Sequence, residues 1–364
     1  MAQDGRRTGA AAKGAGARTN LDILDVTKFV LSIMVVAIHS KLGGNWRVSW
    51  THPWVRLAVP LFFVIGAFLF FRKYDRLPGA ERGPRLRRYA QRNLQLYGVW
   101  LVLLLVPTIL YRGWYKHTPL MGLFYFFRAL FFKSTFVGSW FLMASVVAVG
   151  IVATLSRRVP DWVLLVLSLV VFVLTCLSCS YRRLLFDIPG LKHRIRTYFF
   201  YLGVPQYNYH AALIWVMLGK LAADHEEHIR AQYARPLCRV LVSLLLVMGC
   251  ILLCFELRAM RAYDWAHADD AMLGLLLPVA CIFLILMNTT IHVPHAPVLR
   301  EVSTITFCLH GTLAVHLLAY LKSMGVAHRD AIVFAVALAI SWTVSALILC
   351  LEQRKGWSWL RRLH

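Results

Sequence analysis

About ten times along its 364 residues the chain runs apolar for close to the length of a membrane crossing. The runs lie near 26–42, 54–71, 94–111, 137–155, 161–179, 203–222, 237–256, 271–288, 303–321 and 330–350. A bilayer core of about 30 Å takes about 20 residues of helix. Within it every backbone N–H and C=O must find a partner inside the chain, which leaves helices or closed barrels. Hydrophobic residues make up 59% of the chain and charged ones only 16%, against about 25% charged in a soluble domain. The expectation is an all-α membrane protein, a bundle of about ten transmembrane helices occupying 21–352, with no separate soluble domain.

The ends read differently. Residues 1–20, MAQDGRRTGAAAKGAGARTN, are rich in Gly, Ala and Arg and read as a disordered basic tail. The apolar run that follows lacks a small-residue cleavage site, so it is expected to stay as the first helix rather than leave as a signal peptide. Residues 353–364 read as a second basic tail. A formal charge of +23 raises the question of nucleic acid, but the basic residues sit mainly in short loops between apolar runs. Orientation signalling and contact with lipid explain that pattern better. Their bias towards the side of the two tails predicts that both termini are cytoplasmic.

Three stretches fall outside the plain pattern. Residues 120–136, LMGLFYFFRALFFKSTF, are broken by Arg128 and Lys133 and read as an interfacial helix. Residues 180–196 carry five Lys/Arg on the predicted outer side, as a headgroup anchor or as a contact for an anionic acceptor. The HEEH run at 225–228 reads as a solvated loop. Of the eight cysteines, Cys176 and Cys179 form an isolated C-x-x-C with no second pair. They read as small apolar side chains, and no metal is expected. Phosphate loops, serine elbows and H-E-x-x-H are absent from the sequence.

Ionisable groups inside an apolar run are costly, so each marks a candidate site. The first run, TKFVLSIMVVAIHS, opens with Lys28 and closes with His39. Eleven residues are close to three helical turns, so both lie on one stripe about 16 Å apart. Asp25, one turn before Lys28, is placed to pair with it. A cation at one mouth suits a phosphate-bearing donor, and an imidazole further in suits a base. Topology signalling by Lys28 and plain hydrogen bonding by His39 would explain the same residues. Arg56 stands at the start of the second run, near the level expected for His39. Arg85, Arg88 and Arg92 enter the third run and make either an orientation signal or a phosphate clamp. His310 sits in the ninth run, VSTITFCLHG, behind Ser303.

Together these residues resemble the acyltransferase-3 family of multispanning membrane acyltransferases. Four stretches carry the resemblance: DVTKFVLSIMVVAIHS with its Lys-x10-His, RLAVPLFFVIGAFLFFRK, GSWFLM and VSTITFCLHG. The arginine-rich RLRRYAQRNLQLYGVW is similar too. The resemblance implies transfer of an acyl group, often acetyl, from cytoplasmic acyl-CoA to a hydroxyl of a cell-envelope glycan or glycolipid, in a bacterial plasma membrane. It implies roles for His39 and His310 in catalysis and for Lys28 and the arginines Arg85, Arg88 and Arg92 at the donor site. With Asp25 and Arg56, placed by the residue reading above, the expected catalytic set is His39, Asp25, Arg56 and His310. The arginine pair fits either Arg88 with Arg92 or, at R-x-x-R spacing, Arg85 with Arg88. Trp140 and Ser303 are the implied substrate contacts. His39 acts as base or as a transient acyl carrier; Arg56 or His310 steadies the oxyanion. Many such proteins carry a further extracytoplasmic esterase-like domain, so a separate extracytoplasmic transferase or a direct acceptor is expected here. The rival reading is a transporter or flippase using intramembrane His and Arg as relays.

Overall fold

The computed structural model describes residues 7–44, 51–263 and 270–364, with side chains from Asp22 onwards. All regular structure among these residues is helical. Helix α1 (Arg7–Ser40) is followed by the short α2 (His52–Val55) and by α3 (Ala58–Tyr74). Helices α4 (Gly79–Leu103) and α5 (Leu105–Arg112) meet at a bend of 74°. Next come α6 (Pro119–Phe132), α7 (Trp140–Leu155) and α8 (Asp161–Cys179). Two short helices, α9 (Arg182–Phe186) and α10 (Leu191–Leu202), precede α11 (Tyr209–Asp224) and α12 (Glu226–Tyr233). The chain ends with α13 (Pro236–Ala262), α14 (Leu276–Asn288), α15 (Ala296–Ser323) and α16 (Arg329–Leu351).

Fewer than ten helices among the described residues are long and apolar enough to cross a membrane unaided. Six stretches among the described residues are long and apolar enough to span: Asp22–Ser40, His52–Tyr74, Asp161–Cys179, Pro236–Ala262, Ala296–Ser323 and Arg329–Leu351. The bent α4–α5 pair makes a seventh if it counts as one span. The expected fourth, sixth and eighth runs are the shorter helices α7, α11 and α14, of 16, 16 and 13 residues. At 1.5 Å per residue these reach only ~20–24 Å. The apolar sequence continues beyond them, but the backbone does not stay helical. A turn at 136–139 leads into α7, and a 3₁₀ turn at Pro205–Tyr207 leads into α11. Another at Leu273–Leu275 leads into α14. Irregular backbone at such depth is tolerated where protein buries it or a cavity borders it. Ser139, Gln206 and Met272 in these turns are indeed buried.

Two other expectations meet detail the sequence hid. α1 is already helical from Arg7, inside the stretch read as a tail, in keeping with its alanine content. Residues 358–363 form a 3₁₀ turn that packs back on the bundle, where the indole N–H of Trp100 donates to the Leu363 carbonyl at 3.0 Å. Helix α6 is only 14 residues long, and its Arg128 donates to the Phe200 carbonyl of α10 at 2.6 Å.

The bundle is organised by close pairs: α1 lies along α15, and α3 along α11. Phe62, Phe63, Phe141 and Phe307 interlock where α3, α7 and α15 meet. Charges pin one end. Lys220, 5% exposed, donates to Asp161 at 2.8 Å and to Asp224 at 2.5 Å, tying α11 to α8. Glu226, 4% exposed, is gripped by Arg72 at 2.7 Å and Arg230 at 3.0 Å. The HEEH run is therefore no solvated loop at its second position. Among the described residues no three His, Cys, Asp or Glu side chains gather into a metal site.

Asp75, just past the end of α3, shares this pinned end. Burial and the neighbouring Asp224 carboxylate push its carboxyl up to about 6, from an ordinary value of 3.8. The folded chain then holds a proton that the unfolded chain has released, so Asp75's contribution to stability falls as pH rises from about 4 to about 6. Asp75→Asn is expected to flatten that fall and to raise the unfolding temperature at pH 7. Thermal unfolding in lipid nanodiscs between pH 4 and 8 measures it; an unchanged profile would place the Asp75 carboxylate in water.

Candidate functional site

The apolar part of helix α1, Asp22–Ser40, carries one ionisable cluster at each end. At its start, Lys28 lies 3.8 Å from Asp25, the pairing anticipated from their spacing. Arg300 of α15 reaches the other oxygen of Asp25 at 3.3 Å. Asp25 thus balances two cations some fourteen residues, or ~21 Å, from His39, too far to serve the histidine. Ser303 is spoken for as well: its hydroxyl donates to the Lys28 carbonyl at 2.9 Å, a helix-to-helix clasp rather than a substrate contact. Arg92 lies within electrostatic reach of Lys28. Arg85 is half-buried and its Nε is a buried donor with no partner, whereas Arg88 and Arg92 are exposed. A buried guanidinium N–H without a partner on α4, the helix that also brings Arg92 within reach of Lys28, is the kind of donor that phosphates take up.

At the other end, the rings of His39 and His310 face each other with centroids 5.1 Å apart. His310 is fully buried. Its Nδ1 lies 2.9 Å from the Thr306 carbonyl, and a carbonyl can only accept, so Nδ1 carries the hydrogen. In the neutral ring Nε2 is then a bare lone pair, and it is buried without a partner. Two glycines make room for this. A Cβ on Gly311 would fall 2.9 Å from the Val137 carbonyl oxygen, and Gly138, at φ +88°, holds a backbone that other residues rarely adopt, with a Cβ there lying 3.9 Å from the imidazole Cε1 of His310. The GSW and LHG stretches are thus two faces of one contact.

Arg56 completes the group, within electrostatic reach of His39. It does not wait for an external anion, as its position in the sequence suggested. Its guanidinium pairs with Asp270, and its Nε donates to His52 Nε2 at 3.3 Å. Asp270 also accepts from Gln206 at 3.1 Å and from the Tyr207 hydroxyl at 2.5 Å. Sequence reasoning missed Asp270, Gln206 and Tyr207. The one available signal was an acid immediately before the eighth apolar run.

Two cavities adjoin Arg56. A narrow one of about 40 Å³ is walled by Trp140, Phe63, Phe172 and Trp215 together with Gln206 and Asp270. Gln206 of the turn before α11 and Trp140, the first residue of α7, both border it. Trp140 is there held against Phe63 and Tyr207, at ring distances of 5.8 and 6.0 Å. A wider cavity of about 660 Å³ opens on the far side of Arg56, beyond the end of α1. Of the ten residues expected at the site, the structure therefore brings His39, His310, Arg56 and Trp140 into one region, gathers Lys28 and Arg92 at the opposite end of α1, and sets Asp25 and Ser303 to structural tasks.

Known proteins supply an independent view. The family described as an acyltransferase domain, acyltransferase-3, matches residues 21–351. An amino-acid racemase of Enterococcus faecalis is 23% identical over 347 residues, covering 92% of this chain and 46% of the relative. The chain thus spans about half the length of the curated relative it matches. No solved structure matches it. Spanning apolar helices, a histidine pair in ring contact and a match over nearly the whole length agree: the chain belongs to the acyltransferase-3 family.

Proposed function

We propose that this protein moves an acyl group, acetyl in the simplest case, from acyl-CoA at the Lys28 end of the bundle to a hydroxyl of a cell-envelope glycan or glycolipid at the His39 end. The Lys28 end then faces the cytoplasm, with both termini on that side, in the plasma membrane of a bacterium. The observation that carries the reading is the histidine pair: two imidazoles in contact, one with its Nδ1–H committed and its Nε2 lone pair buried and unused.

The chemistry follows from those groups. The acceptor oxygen attacks the thioester carbonyl while an imidazole of the pair takes its proton. The C–S bond breaks, and the leaving thiolate recovers that proton from the imidazolium. Arg56 stands ready to steady the oxyanion, its guanidinium already oriented by Asp270 and His52. His39 as transient acyl carrier is the variant that splits the same transfer in two. Lys28, Arg92 and the partnerless Nε of Arg85 supply the cations for the CoA phosphates. A separate extracytoplasmic transferase is compatible with either route. Racemisation belongs to the relative, of which this chain covers less than half.

The test is consumption of acetyl-CoA and longer acyl-CoAs by the full chain in nanodiscs. Turnover is expected in wild type, and CoA affinity is expected to fall about tenfold or more in Lys28→Gln and Arg85→Gln, each losing one charged contact. No CoA binding and no thioester loss would favour the transporter reading, in which the same His and Arg relay a cargo.

A further inference from the structure

The wider cavity lies about thirteen residues, or ~20 Å, along α1 from Lys28, so it is remote from the residues suited to the donor's phosphates. Its volume of about 660 Å³ falls within the range of small-molecule sites. Its polar lining is lopsided: Lys41, His52, Arg56, His328 and Arg329 face a single acid, Asp330. Arg56 is already matched by Asp270, which leaves Lys41 and Arg329, both exposed, as the cations of the chamber without an acid partner among the described residues. Arg56 also links the chamber to His39.

Backbone geometry singles out the same residues. Among the described residues three non-glycines have a positive φ: Lys41 at 60°, His295 at 61° and His328 at 50°. Two of the three line this cavity. Lys41 follows the last residue of α1, at the helix-closing position where glycine is cheapest, and glycine stands only two residues on, at Gly43. Keeping lysine there accepts strain in order to hold a cation at the cavity wall. Such strain collects where a side chain has work to do.

We infer that the acceptor is itself an anion, a hydroxyl compound bearing a carboxylate or phosphate that Lys41 and Arg329 hold in this cavity beside Arg56. The inference rests on the acyl-transfer reading for the word acceptor, but not for the site. The two sources of charge, carboxylate and phosphate, are separated by the probes.

The experiment measures binding calorimetrically on the full chain in nanodiscs without any thioester present. The probes are glucuronate, glucose 6-phosphate and neutral glucose. One or both anions are expected to bind about tenfold or more tighter than glucose, with the preference weakening as salt rises. Lys41→Gln and Arg329→Gln are expected to abolish the preference, and Asp330→Asn to strengthen it. Since all three are rim substitutions, unchanged unfolding temperatures confirm that the fold persists. Equal binding of glucose and both anions, or a preference that survives in both glutamine variants, overturns the inference. Anion preference without thioester turnover upholds this site and sinks acyl transfer; turnover stimulated equally by glucose and glucuronate keeps acyl transfer and sinks the anionic acceptor.

Discussion

Replacing His310 by alanine is expected to slow thioester turnover by about 10²–10⁴-fold, the usual return of a positioned general base. His39→Ala is expected to do the same. The two rings touch, and only one of them has a fixed tautomer: the Thr306 carbonyl commits Nδ1 of His310 and leaves Nε2 as the acceptor. If the pair works as one unit, the double variant will be no slower than the worse single, because the second loss removes a group that has already been idled. Independent contributions would multiply instead. Thr306 contributes through its backbone, so Thr306→Val should leave turnover near wild type, separating the carbonyl's role from the hydroxyl's. Full activity of His310→Ala beside a dead His39→Ala would reduce His310 to a packing residue and leave His39 to act alone. CoA binding, read at the opposite end of α1, reports whether each variant remains folded.

How much of this was legible beforehand follows from what a one-dimensional pattern can carry. His39, His310 and Arg56 stood out because ionisable groups inside apolar runs are expensive, Trp140 only through the family resemblance, and all four converge. Asp25 was seen as a partner for Lys28; periodicity gives the pair, but not the Arg300 that completes it from 275 residues away. Asp270 was invisible for the same reason. Its partner Arg56 is 214 positions distant, and nothing local marks the acid as paired. Span counting and helix length disagree where hydropathy and helicity part company. The turns before α7, α11 and α14 are apolar enough to read as membrane, yet leave the helix. Composition registers what lipid or protein will accept, not where the backbone hydrogen bonds go.

Gly219→Ala carries the other large effect, and it acts on stability. A Cβ at this position of α11 would lie 2.6 Å from the Val64 carbonyl oxygen, 2.7 Å from the Cβ of Ala67 and 2.9 Å from the Phe68 nitrogen of α3. Two of those three atoms are backbone, so no side-chain rotation relieves the clash and the helices must part. Close approach through small residues is how helices gain packing energy in lipid, where apolar burial alone gives none. Overpacking of this kind costs about 1–3 kcal/mol. The unfolding temperature in nanodiscs is accordingly expected to drop by about 2–10 °C. Gly66→Ala on α3 is the control, since its added Cβ meets nothing within 4 Å and should leave the midpoint unchanged or slightly higher. Because α3 follows directly on Arg56 and carries Pro60 and Phe63, which line the narrow cavity with it, parting α3 from α11 should also weaken turnover at temperatures where the fold is intact. A destabilisation shared equally by Gly219→Ala and Gly66→Ala would mean that glycine flexibility, not the contact between α3 and α11, is what this position supplies.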